Sequence, residues 1–130
     1  MKTTALKTMS ADIESAVKRA TKRLQTSKET CERETRERGR RAGVEWAADR
    51  ASFRELERLA MAEVNFYLCD HRGPPALFIN VVFGRDSWEL QDFWETCLGL
   101  DPTDEDDMYS ADWWDAFTEG AVEVFAEADV

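Results

Sequence analysis

Apolar residues recur at helical spacing through most of the chain, but the strength of the pattern changes along it. Ile13, Val17, Ala20, Leu24, Ser27 and Cys31 follow alternating four- and three-residue steps, a narrow stripe on one helical face. Ser10 is a plausible N-cap, with Asp12 in the first turn, and residues 1–9 read as a loose terminus. The stripe fades at Ser27 and Cys31. From Lys28 to Arg41 the support for a helix is electrostatic, with Glu29–Arg33, Glu32–Arg36, Glu34–Arg38 and Glu37–Arg41 each placing Glu four residues before Arg. Such pairs contribute about 0.2–0.5 kcal/mol each. The spacing predicts a long helix from about residue 11 to 38 or beyond, ending near Gly39 or continuing to Asp49. Gly39 and Gly43 form a GxxxG spacing, read here as a close helix approach or a helix joint.

Ser52 and Glu55 have the capping-box form, and Phe53, Leu56, Leu59, Ala60, Val64 and Leu68 follow helical spacing, so a helix is expected from about 52 to 68. Trp46 and Phe53 are the expected centre of the core. Cys69 to Pro75 is a turn, since Gly followed by two Pro breaks a helix. Residues 76–84, ALFINVVFG, suit a buried strand by their Phe, Ile and Val. Pro75 suits the start of a short helix, and a hairpin without a third strand is weak, so helix is preferred. Asp86 or Ser87 with Glu89 offers another capping box. It would open a helix whose apolar face is Leu90, Phe93, Trp94, Cys97 and Leu98, ended by Gly99. Ser110 or Asp107 caps a final helix to about Ala128, with one acidic face: Asp112, Asp115, Glu119, Glu123 and Glu127. A short echo links Gly43, Val44 and Trp46 with Gly120, Ala121 and Phe125. Both glycines read as points where two helices approach closely, including each other.

The fold class is therefore all-α, about five helices. A charged helical arm, 1–41, extends from a compact acidic body, 42–130. Charge sharpens this division. The net charge of −10 is distributed as twelve Lys/Arg against six Asp/Glu in 1–41, four against six in 42–72, and one against fifteen in 73–130. A chain polarised in this way can bind partners of opposite charge at either end, pair its own ends, or associate head to tail. All five Trp and seven Phe follow residue 43, so the core belongs to the later two thirds. Three cysteines, Cys31, Cys69 and Cys97, are odd in number and far apart, which gives no zinc spacing and suggests free thiols in a reducing compartment. The opening MKTTALKTMSADIE has no apolar segment of the secretory kind, and no run reaches the length of a membrane span. A cytoplasmic protein without a membrane partner is expected.

Candidate chemistry is sparse. His71, the single histidine, sits beside Cys69 and Asp70, but residues one or two apart on a turn rarely converge into a nucleophile and base. Asp101, Asp104, Glu105, Asp106 and Asp107 lack the glycine that a calcium loop needs at its sixth position and read as an acidic helix start. No phosphate loop occurs, and no cofactor or enzymatic function is expected. Arg33, Arg36, Arg38, Arg40 and Arg41 could bind phosphates, but Glu neighbours lower their field and no aromatic is interleaved, so nucleic acid is not the expected partner. Trp113 and Trp114 point about 100° apart on a helix. Either a wide core face holds both, or one is partly exposed and anchors a partner; Trp88 is the second candidate for such exposure. The phrase GVEWAADRASFREL resembles bacterial helical sequences, a likeness that implies no activity. The expectation is a non-catalytic interaction or regulatory protein. It would bind another protein, or a second copy through the N-terminal helix, using Arg33, Arg36 and Arg40 of the arm or the face bearing Trp88, Trp113 and Trp114. The alternative is an acidic DNA mimic that occupies a nucleic-acid-binding site.

Overall fold

The computed structural model describes residues 2–86, 88–100 and 105–128, and every regular element among them is helical. Helix α1 spans Lys2–Asp49, 48 residues without a break. It begins before Ser10, because residues 2–9 include Ala5, Leu6, Lys7 and Met9, good helix formers with no Gly or Pro. It also runs through Gly39 and Gly43.

Two compact units divide the chain between Arg33 and Glu34. In the first unit, none of residues 10–33 is buried; Ala20 and Thr30 are half-buried and the rest are exposed. This is a helix with no core of its own.

The second unit holds the core. Its first element is the 34–49 part of α1. Helix α2, Phe53–Met61, starts on the expected capping box: the Ser52 hydroxyl accepts from the Glu55 N–H, and the Glu55 carboxylate accepts from the Ser52 N–H. It ends earlier than its apolar spacing suggests, with Ala62 extended and a 3-10 turn at Phe66–Leu68. Burial explains the break. The turn puts Phe66 in the core, stacked 6.0 Å from Trp114, and leaves Leu68 exposed. Phe53 is not a core anchor; it is 59 % exposed and touches Phe125 at a centroid distance of 5.2 Å. Leu56 and Leu59 face inward, and each three-residue step back along a helix rotates a side chain by about 60°, so Phe53 lies roughly 120° from Leu59.

Helix α3, Pro74–Phe83, settles the ambiguous segment as helix. Two prolines occupy its first turn, and Gly84 closes it in the left-handed conformation at φ 66°. A turn of α-helix, Leu90–Asp92 (α4), widens into a π turn at Phe93–Cys97. It starts later than the capping box implied, and Ser87 lies outside the described residues. The wider turn lets Phe93, Trp94 and Leu98 all be buried, and Gly99 at φ 70° ends it as expected. Helix α5 is a single turn, Glu105–Met108, and α6 spans Ala111–Ala128. The Ser110 hydroxyl accepts from the Trp113 N–H at 3.3 Å, the expected cap. Asp101 and Asp104 of the acidic loop lie outside the described residues.

The core is an aromatic cluster. Phe78 lies within 5.5 Å, centroid to centroid, of Trp46, Trp114 and Phe117, and Phe93 closes the far side at 5.9 Å. The segment 34–49 of α1 joins it by passing very close to α6. A Cβ added at Gly39 would collide with the Trp113 carbonyl, and one at Gly43 with the Phe117 carbonyl. A Cβ at Gly120 would stand 2.6 Å from the Arg40 carbonyl oxygen. The GxxxG spacing is therefore a close approach, and Gly120 answers it from the other helix. Because 39 meets 113 and 43 meets 117, the two helices run in the same sense.

Candidate interaction surfaces

Arginines of the 34–49 segment meet the acidic side of α6. Arg36 donates to Asp115 at 3.1 Å and to Glu119 at 3.0 Å, and Arg40 donates to Glu123. Both series step by four residues, so one helical turn on each side stays in register. Burial works against the Arg36 charge, but the Asp115 hydrogen bond and the nearby Glu119 outweigh it and hold its pKa above the ordinary value. Arg38 lies elsewhere on the helix and donates two bonds to Asp107, at 2.8 and 3.0 Å. Asp107 is 4 % exposed, so a residue read from sequence as part of an acidic helix start and a candidate cap is a buried structural carboxylate. Arg36 and Arg40, expected to face a partner, are thus engaged within the second unit, while Arg33 is exposed in the first.

Tyr67 extends the seam by donating its hydroxyl to Asp112. That bond to a carboxylate raises the Tyr67 pKa to about 12, with partial burial adding to it. In an unfolded chain tyrosine ionises near ~10. The contribution to stability is therefore complete below about pH 10 and is lost as pH rises through about 12. Following the phenolate absorbance band, we expect Tyr67→Phe to remove a titration step near pH 12. Loss of a step at the ordinary tyrosine pKa instead would refute the Tyr67–Asp112 bond.

Trp113 and Trp114 are 2 % and 0 % exposed. The expectation of an exposed, partner-anchoring ring at either position is corrected: the core face is wide enough for both. Aromatic neighbours flank them on two sides, with Trp94 5.1 Å from Trp113 and Phe78 4.8 Å from Trp114. The Trp114 indole N–H donates to the Met108 carbonyl at 2.9 Å. Trp88 is half-buried between Phe83 and Phe93, and the Arg85 guanidinium lies over its ring at 4.3 Å. Beside it is a cavity of about 200 Å³, bordered by Arg72, Ile79, Trp88 and Tyr109. That is smaller than the ~300–1,000 Å³ of ligand pockets.

Groups with reactive potential are scattered. His71 is exposed on its turn; Asp70 beside it accepts from Arg72, which holds the carboxylate below its usual range. Burial, with Glu55 nearby, pushes the Cys97 thiol up to about 11, so it stays protonated at neutral pH. Among the described residues no group of three metal-binding side chains comes together, and no helix is long and apolar enough to cross a membrane.

Among the described residues, the open apolar surface includes a stripe on α1 and a groove on the second unit. Along residues 10–33, Ile13, Val17 and Leu24 are 61, 57 and 60 % exposed. On the second unit, a groove of about 540 Å³ runs between α2 and α6. Leu59, Ala60, Ala62, Val122 and Ala126 form its apolar lining, and Asp115, Glu119, Glu123 and Arg40 its charged one. No protein-family model, curated protein or solved structure matches this chain.

Proposed function

We propose that this is a non-catalytic interaction protein that binds another protein through its N-terminal helix. The observation that carries the reading is the exposed stripe of Ile13, Val17 and Leu24 on a unit without a buried residue between positions 10 and 33. A helix that presents large apolar residues to water gains by covering them, and the four-residue step from Ile13 to Val17 and the seven-residue step from Val17 to Leu24 are those used in helix-in-groove docking. Nucleic-acid mimicry has less support, because Asp115, Glu119 and Glu123 are matched by Arg36 and Arg40 instead of forming an Arg-free array.

Two truncations test the reading. Removal of residues 1–33 takes the stripe alone and should abolish partner capture from the source cell while leaving the melting transition within a few degrees. Removal of residues 1–41 also takes Arg36, Arg38, Gly39 and Arg40, strands Asp107, and should cost a further ~2–5 kcal/mol of stability. Full retention of the captured partners by the shorter truncation would overturn the proposal.

A further inference from the structure

We infer that the α2–α6 groove receives the apolar stripe of residues 10–33 from a second copy, so that two chains associate by exchanging arms. The inference rests on the reading of the arm as the binding element, and it names the partner.

Size agrees first. Between Asp115 and Ala126 the groove follows α6 for roughly 16 Å at 1.5 Å per residue. Val17 to Leu24, the middle of the stripe, spans about 10 Å. Shape agrees next. The groove is lined by small side chains, Ala60, Ala62 and Ala126, which let a helix axis come close, while the arm supplies the large ones, Val17 and Leu24.

Charge decides between possible occupants. Residues 1–33 carry eight Lys/Arg and four Asp/Glu, a net +4; residues 34–130 carry nine and twenty-three, a net −14. Arg23 and Lys28 flank the stripe, and the three carboxylates of the groove outnumber Arg36 and Arg40, which pair with them, by one. Pairing of two arms with each other is disfavoured on the same ground. Lys18, Arg19, Lys22 and Arg23 lie at the middle of the 10–33 segment, so full overlap in either direction sets this basic stretch against itself. The seam of that coiled coil would also contain Ala20, Ser27 and Cys31. Reciprocal exchange instead covers the arm stripe and the groove on both copies.

Complementation with full-length variants tests this. Leu24→Asp spoils the arm and Ala126→Arg spoils the groove; both positions are exposed, so circular dichroism and melting should match the parent. In sedimentation equilibrium the parent should be a dimer at tens of micromolar, and each variant should dissociate at least ~10-fold more readily. An equimolar mixture of the two should recover a 1:1 dimer, because one intact arm meets one intact groove. A monomeric parent at about 100 µM overturns the exchange, yet the arm reading stands if the 1–33 truncation still loses a different captured partner. Undiminished dimerisation of Ala126→Arg, with loss in Leu24→Asp, replaces the groove by arm–arm pairing. If Leu24→Asp self-associates and captures partners like the parent, both readings fail.

Discussion

Gly43→Ala should destabilise the second unit by about 3 kcal/mol, although helix propensity alone predicts the opposite sign. In an exposed helix interior alanine is better than glycine by about 1 kcal/mol, so a reading of α1 as a free-standing helix expects a gain. In the folded chain the added methyl meets the Phe117 carbonyl, which is backbone and cannot rotate away as a flexible side chain would. The added carbon and that carbonyl oxygen must move apart by about an ångström or more. Separation loosens Trp46 from Phe117, now 5.5 Å apart, and lengthens the reach from Arg36 and Arg40 to α6.

Against a total stability of about 5–15 kcal/mol, that loss is large. Gly39→Ala should behave similarly, since its collision is with the Trp113 carbonyl. Without the contact the propensity gain would show, so the sign of the change reports the contact. Urea unfolding gives the measurement, with the midpoint falling and the slope little changed. A Gly43→Ala protein as stable as the parent would sink the close α1–α6 approach.

This contact shows what was legible in the residues alone. GxxxG spacing and the echo at Gly120 pointed to close helix approach, because glycine in a helix interior costs stability unless its missing side chain is used. Caps were equally readable: Ser52 with Glu55, Ser110 and Gly99 act through backbone geometry within a few residues. Features decided by distant neighbours were not. The four Glu–Arg pairs of residues 29–41 offered local partners, but Arg36 instead bonds Asp115 and Glu119, 79 and 83 residues away. The apolar series 53–68 fitted one helix, yet the core takes Phe66, which that series omitted, and leaves Phe53 and Leu68 in water. Over the few residues of the π turn, helical spacing does not distinguish α from π. The exposed stripe at Ile13, Val17 and Leu24 was visible as a pattern. Its exposure was not, because a narrow apolar face reads the same whether covered or bare.

Trp114→Ala should cost about 3–5 kcal/mol and remove cooperative unfolding near room temperature if the parent is of ordinary stability. The ring is 0 % exposed and lies within 6.0 Å, centroid to centroid, of Phe66, Phe78, Trp94, Trp113 and Phe117. Its removal leaves a void among rings that cannot collapse together without breaking their own edge-to-face contacts. The Met108 carbonyl would also lose the indole donor at 2.9 Å. Trp114→Phe separates the two contributions: the ring mostly stays, and the unpaired carbonyl costs about 1–3 kcal/mol. Trp113→Ala belongs with Trp114→Ala, because its ring stacks on Phe117 at 5.2 Å and packs against Trp94. A residue that anchors a partner behaves differently: truncation weakens binding and leaves the melting temperature unchanged. Melting of the free protein therefore discriminates the two roles without any partner in hand. An unaltered transition in Trp113→Ala would return that ring to the surface; a transition lowered by tens of degrees keeps the pair in the core.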